Sequence, residues 1–345
     1  MVDLIKIDGS YGEGGGQILR NAVGLSVVFD EPIEIINIRK KRANPGMSNQ
    51  HYSSIKIIQE ICDADVSGLS VGSEKLVFKP GKVKSGSYSF DIKTAGSITL
   101  ALQAIILSVI GSKKEIKISI IGGTDVKWSP SWDFFENVFL EYLKRFGIKI
   151  ECNLIKRGYY PLGGGKVEIK IKPVLKIRPI DLSDNYEISN VDGIIHISNL
   201  PDHINKRIKH TVLKSFLKNN INANVQTQRY DAFSPGCGIT IWINNKYCIL
   251  GSSVVGERGI SSEKIGKDAS EKILYEIKNN ATVDKYSFDQ IIPYLGLALE
   301  NGRSEIKIST ISKHADTNIW LTKKFLDLKY DIKIFEKGKT VRFFS

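Results

Sequence analysis

Sulfur is scarce in this chain, with four cysteines and two methionines in 345 residues. Cys62, Cys152, Cys237 and Cys248 show no Cys-x-x-Cys and no Cys/His pair of zinc spacing, so they read as reduced core or surface thiols. Long apolar runs are also missing. The longest, Ile98 to Ile110, is interrupted by Thr99, Gln103 and Ser108 and falls short of the roughly 18 residues a membrane-spanning helix needs. The opening MVDLIKIDGS has neither a basic head nor an apolar middle, so no secretion signal is read and a cytoplasmic location is expected. No GxxxxGK[ST] occurs, which argues against a Walker-type nucleotide loop.

What the chain does have is the composition of a folded protein with a positive surface. Apolar residues make up 42% and charged residues 25%, and the length is sufficient for two or more domains. Lys and Arg number 49 against 37 Asp and Glu, a net +12. Such an excess suits a polyanionic partner, nucleic acid or nucleotide, and equally a lysine-rich solvated surface.

Repetition organises the sequence. EIKIS occurs at Glu115–Ser119 and again at Glu305–Ser309; each copy alternates as a strand does and runs through a polar loop into an apolar helix. The helices are expected from Ser131 to Phe146 and from Ala315 to Leu328, which places the lone histidine of the second loop, His314, just before a helix N-terminus. IEIINI at Ile33–Ile38 is a weaker echo, ending in Arg39, Lys40, Lys41 and Arg42 before a helix through Cys62. The periodicity predicts an α/β (α+β) fold in which a large domain contains three βαβαββ units, at 1–84, 85–173, and 174–181 plus 281–345. The third unit begins with a strand near Leu175–Ile180 and resumes about a hundred residues later. The intervening 182–280 has a strand and helix pattern of its own and is expected to be a small inserted α/β domain.

Two loops carry groups suited to anions. GSYGEGGGQILR, Gly9 to Arg20, is a glycine-rich turn opening a helix; it reads as a tight turn, or as backbone N–H groups presented to phosphate. Glu13 within it is a carboxylate suited to a divalent metal, and Arg20 a guanidinium suited to phosphate. In RKKRANPGMSNQH, Arg39 to His51, the four consecutive basic residues precede a proline and glycine turn and have the look of a phosphate-binding loop that also offers Gln50. Gln103 stands among apolar helix residues, either as a satisfied core amide or as a ligand contact.

Taken together, GSYGEGGGQILR, RANPG with Gln50 and His51, GGTD at Gly122–Asp125, RGYYPLGGG at Arg157–Gly165, VGERG at Val255–Gly259, FDQ at Phe288–Gln290 and HADTN at His314–Asn318 closely resemble the RNA 3'-terminal phosphate cyclase family, in the same order over nearly the whole chain. The resemblance implies three repeats and a smaller inserted domain. It also implies ATP-dependent conversion of an RNA 3'-phosphate end to a 2',3'-cyclic phosphate, with release of AMP and diphosphate. His314 would be the covalent carrier of AMP. Gln103, Pro130, Tyr286, Ser287, Phe288, Asp289 and Gln290 would bind ATP, with Tyr286 stacking on adenine and Asp289 orienting His314 or a metal. Arg20, Arg39, Arg42 and Gln50 would meet the RNA and its phosphates, and Glu13 would hold Mg2+ or Mn2+. A homodimer is compatible with this. Lys285, Tyr286 and Ser287 before FDQ depart from the family, whose members often have histidine or leucine there, and Ser108 stands where a proline is common. Non-catalytic relatives that act in ribosomal RNA processing lack the histidine, whereas this chain keeps it. The enolpyruvyl transferases resemble the repeated architecture but have no need of HADTN.

Overall fold

The computed structural model describes residues 4–335 and 337–344. The first unit runs β1 (Ile5–Asp8), α1 (Gly16–Phe29), β2 (Ile33–Ile36), α2 (Asn49–Cys62), β3 (Asp65–Ser67) and β4 (Leu76–Lys79). The second runs β5 (Gly86–Asp91), α3 (Ile98–Val109), β6 (Ile116–Gly122), α4 (Trp132–Phe134), a π-helical turn (Phe135–Phe139), α5 (Leu140–Arg145), β7 (Ile150–Lys156) and β8 (Gly165–Ile171). β9 (Asp181–Leu182) opens the third. After it come β10 (Asn190–Ser198), α6 (Asp202–Leu217), β11 (Asn222–Tyr230), β12 (Gly236–Asn244), β13 (Ile249–Val255) and α7 (Ser262–Lys278). The chain then finishes the third unit with α8 (Lys285–Leu297), β14 (Ser304–Ile308), α9 (Lys313–Thr322), β15 (Lys329–Ile334) and β16 (Lys339–Phe344).

Each unit makes one four-stranded sheet, and the three have the same order: first, second, fourth, third strand. The first pair is parallel in each, β1 with β2, β5 with β6, and β9 with β14. The other pairs are antiparallel. A parallel pair needs a crossover, and the helix that supplies it buries its apolar face against the sheet. The repeated pattern read from EIKIS is therefore a repeated topology. The fourth sheet, ordered β11-β10-β12-β13, comes from the stretch between β9 and α8. Its apolar residues form their own cluster around Ile195, Ile208, Phe216, Ile239 and Ile273, while one continuous cluster joins the three repeated sheets and their helices.

The element ends differ from the expectation at two instructive places. The opening strand of the third unit is two residues long and starts after Pro179, which has no N–H to donate to a ladder, rather than covering Leu175–Ile180. The last long helix stops at Thr322 instead of Leu328 and starts two residues before Ala315, because Ser312 caps it by accepting from the Ala315 N–H at 3.0 Å. His314 is thus in the first turn of α9 and not in the loop before it. No helix among the described residues is long and apolar enough to cross a membrane.

A buried charged cluster joins the second unit to the sheet of β10–β13. Arg157 donates from Nη1 to Asp125 Oδ2 at 2.9 Å and from Nη2 to Asp133 Oδ1 at 2.7 Å, with all three side chains out of solvent. His196 of β10 faces Asp125 at 3.3 Å through Nε2, and its Nδ1 contacts the Tyr159 hydroxyl at 2.7 Å. That histidine contact has the distance of an ion pair. Burial, followed by the Arg157 cation, nevertheless pushes the imidazole down to about 3, so it is neutral and Tyr159 donates to it. Two acids and a histidine within reach of one another are a possible metal set, but the guanidinium between the carboxylates already supplies the positive charge.

Candidate active site

One cleft of about 870 Å³ lies where the three repeats and the β10–β13 sheet meet. Its floor comes from α1, α3 and α8, one end from the loops after β1 and β2, and the outer wall from β13, α7 and residues 126–130. Eleven of the thirteen residues that the sequence singled out line it: Glu13, Arg20, Arg39, Arg42, Gln50, Gln103, Pro130, Tyr286, Asp289, Gln290 and His314. The other two turn away, which corrects the expectation for FDQ as a block. Helical phase puts Tyr286, Asp289, Gln290 and Pro293 on the cleft face of α8. Phe288 packs in the core at 6.3 Å from the Phe343 ring, and buried Ser287 donates its hydroxyl to Asp284 at 2.6 Å.

The glycine-rich loop is built against the helix that carries His314. Gly12 and Gly14 have φ of +55° and +58°, which only glycine adopts without strain, and Tyr11 between β1 and Gly12 stacks on Trp320 of α9 at 3.9 Å. A side chain on Gly16 would sit 1.8 Å from His51 Nε2, so the His51 ring of α2 packs directly on the backbone at the start of α1, where only glycine leaves room for it. His51 Nδ1 in turn serves the Ser48 cap, and burial, then Arg20 and Arg39, hold its imidazole down to about 3.

α8 and α9 are tied by a proline. Pro293 inside α8 has no N–H for the Asp289 carbonyl one turn earlier. Asn318 of α9 donates to that carbonyl instead, at 2.5 Å, and accepts from Asn21 of α1 at 2.9 Å. Gln17 of α1 donates to the backbone carbonyl of His314 at 3.0 Å. Three helices therefore fix the backbone from which His314 projects.

His314 Nε2 is 3.2 Å from Glu13 Oε2, and Arg42 reaches the same carboxylate oxygen at 3.7 Å. Desolvation lowers the His314 pKa, Glu13 raises it, and Arg42, Arg20 and Lys285 lower it further. The net effect is a neutral imidazole at physiological pH, in spite of the adjoining carboxylate. Arg20 has no carboxylate at ion-pair distance among the described residues; burial lowers its pKa to about 10, and it stays cationic. Arg39 spends one donor on the Gly46 carbonyl at 2.9 Å. Positive charge with little internal compensation thus gathers beside a neutral imidazole. Further along, Gln103 donates to Gln290 at 2.6 Å, and Leu107, Phe139 and Pro293 give the same cleft an apolar lining beside these amides.

Asp289 shows the strain of this arrangement. Burial, then Asp284, pushes its pKa up to about 8, with Arg20 and Lys285 opposing. A carboxyl raised from its ordinary 3.8 to about 8 binds more protons folded than unfolded, so its contribution to stability is full below about pH 4 and is lost as pH rises through 8. Asp289→Asn should therefore gain melting temperature over the parent by an amount that grows from pH 5 to pH 9. Thermal melts of the unliganded protein at both pH values check this, and a difference that does not grow with pH refutes it.

Sequence reasoning missed His51, Asn318 and Lys272 as parts of the cleft. His51 and Asn318 lie inside motifs already singled out, whereas Lys272 stands on an amphipathic helix of lysines and carries no mark of its own.

The family model described as RNA 3'-terminal phosphate cyclase matches residues 11–332. A protein of Methanococcoides burtonii named RNA 3'-terminal phosphate cyclase is 45% identical over 331 residues, covering 96% of this chain and 97% of its own. Proteins of the same name from Methanosarcina barkeri and Pyrococcus furiosus are 42% and 39% identical, with 96% and 97% of this chain and 97% and 98% of their own covered. With a family match over nearly its full length and relatives this similar end to end, the chain belongs to the RNA 3'-terminal phosphate cyclase family.

Proposed function

We propose that the protein converts an RNA 3'-phosphate end to a 2',3'-cyclic phosphate at the expense of ATP, and that His314 carries the AMP. The observation that supports this most directly is a neutral His314 imidazole opening on a cleft with Arg20, Arg39 and Arg42, in a member of this family. A 3'-phosphate has no good leaving group, so the neighbouring 2'-hydroxyl cannot displace one unaided. Attack of an imidazole nitrogen on the α-phosphorus of ATP expels diphosphate and leaves AMP on His314. A phosphate oxygen of the RNA end then attacks the same phosphorus, and the imidazole leaves. Finally the 2'-hydroxyl loses its proton and attacks the 3'-phosphorus, closing the ring as AMP departs. That last step has the advantage of a tethered nucleophile.

The residues fit these roles. Arg20, Arg39 and Arg42 offset charge on the transferring phosphoryl oxygens, and Gln50 hydrogen-bonds at the same end. Gln103 and Gln290 offer amides to the adenine edge, Pro130 and Tyr286 offer faces for stacking, and protonated Asp289 donates to an acceptor of the nucleotide. Glu13 suits a divalent cation such as Mg2+ or Mn2+ as one carboxylate completed by phosphate oxygens. Such an ion would neutralise charge on the departing diphosphate. A further part of this reading is that 182–280 is an inserted domain forming the outer wall, a division supported by its separate apolar cluster.

Intact-mass measurement tests the proposal. After incubation with ATP and a divalent ion, the protein should gain the mass of one AMP. The adduct should be discharged by an oligoribonucleotide with a 3'-phosphate and persist with its 3'-hydroxyl counterpart. Absence of an adduct with every divalent ion tried would remove the covalent mechanism.

A further inference from the structure

Trp128 is the feature of the cleft that the reaction described above leaves unused. The chain has four tryptophans, and three are engaged elsewhere: Trp132 is buried, Trp320 stacks on Tyr11, and Trp242 packs on the apolar core. Trp128 is 88% exposed at the cleft margin. A single exposed apolar side chain needs no explanation. This one also holds a backbone φ of +63°, a region disfavoured for a bulky residue and kept only where surrounding structure fixes it.

The surroundings do fix it. Ser129 closes the turn by donating to the Val126 carbonyl at 2.8 Å, and Lys127 bridges to Glu257 on the outer wall at 2.7 Å. Pro130, the next anchor, accepts from Thr99 of α3 at 2.8 Å. The result is an indole held out from a braced turn at the mouth. Lys127 Nζ lies 4.9 Å from its ring centroid.

The position favours one occupant. The cleft already contains an apolar lining beside the Gln103–Gln290 pair for the base of a nucleotide bound inside. A polynucleotide whose 3' end lies among the arginines must instead leave through the mouth. Trp128, Arg39, Arg42 and Gln50 line the same cleft, so a strand reaching the arginines can pass the indole on its way out. A flat π-face flanked by a lysine is the combination that binds single-stranded nucleic acid without reading sequence.

We propose that Trp128 is a stacking platform for a nucleobase at the 3' end of the RNA, holding the strand where it leaves the cleft. The proposal rests on the reading of the site as one that accepts RNA ends. Stacking on every base gives affinity with little base preference, so loss of the indole should raise the RNA KM rather than lower kcat.

Two variants separate the ring from the fold. Trp128→Gly removes the ring at a backbone position glycine adopts freely, and Trp128→Phe keeps a smaller π-face. In the full-length protein, an oligoribonucleotide with a 3'-phosphate should quench tryptophan fluorescence of the parent, and this quench should vanish in both variants. The RNA KM should rise about 5- to 100-fold in Trp128→Gly, and Trp128→Phe should recover most of that loss. A quench that survives in both variants, or an RNA KM within two-fold of the parent in Trp128→Gly, overturns the proposal. So does a rise confined to the ATP KM of AMP loading measured without RNA, which would assign the platform to adenine. Failure of the parent to take up AMP would count against the cyclase reading alone. The quench would still decide whether Trp128 meets RNA.

Discussion

His314→Ala should carry no AMP after incubation with ATP and a divalent ion, and cyclisation should fall by about 10⁴-fold or more. The loss is expected to be near complete because in the proposed mechanism the imidazole makes and breaks a bond to phosphorus. His51 is the other imidazole lining the cleft, but its Nδ1 is committed to Ser48 and its Nε2 lies against Gly16 with no room for a phosphoryl group. Glu13→Gln is the informative companion. Glu13 sits 3.2 Å from His314 Nε2 and forms no bond to phosphorus in the proposed transfer, so its loss should slow loading about 10- to 100-fold while leaving the adduct detectable. AMP on His314→Ala would move the nucleophile elsewhere, whereas an adduct on neither variant would give Glu13 a larger share of the chemistry than orientation. Intact mass for the adduct and a radiolabelled 3'-phosphate end for ring closure read the two steps separately.

The contrast between what was legible in the sequence and what was not has a physical basis. The three sheets were legible because a repeat states its topology three times, and EIKIS marks the second strand of two units. Most of the cleft was legible because anion-binding sites use conspicuous residue types on loops after strands and at helix starts, as with Arg39 and Arg42 on a loop and His314 in the first turn of α9. Helical phase was not carried by the motif: FDQ reads as a block, yet Phe288 faces the core while Asp289 and Gln290 face the cleft. Nor could sequence show that Pro293 frees a carbonyl for Asn318, since donor and acceptor belong to helices separated by β14. The same holds for Trp128, whose interest lies in a backbone angle and an exposure that composition does not encode.

Arg157→Met should cost about 3–5 kcal/mol of stability at neutral pH. The guanidinium is buried between Asp125 and Asp133, so its removal leaves two carboxylates out of water with no cation. In the parent His196 adds no cation to the cluster, because burial and then Arg157 hold its imidazole neutral. In the parent, burial already raises Asp133 to about 6 while Arg157 opposes the rise, and Asp125 stays below its usual range. Without Arg157 both carboxyls would titrate higher in the folded state than in the unfolded one. Their contribution would then be fully present below about pH 4 and lost as pH climbs through the raised folded values, so the variant's deficit should shrink at pH 5 and widen at pH 8. Denaturant unfolding at the two pH values measures this, and a deficit that stays constant would mean the carboxylates find other partners or water. Adding Asp125→Asn and Asp133→Asn to Arg157→Met should recover much of the loss, because the penalty belongs to the unpaired charges and not to the missing arginine. Because His196 and the ring of Tyr230, which lies 4.5 Å from the guanidinium carbon, both belong to the β10–β13 sheet, Arg157→Met should also loosen the outer wall of the cleft. The triple variant should therefore regain stability more fully than it regains nucleotide affinity, since its neutral amides remove the repulsion without restoring the guanidinium that bridges the wall to the second repeat.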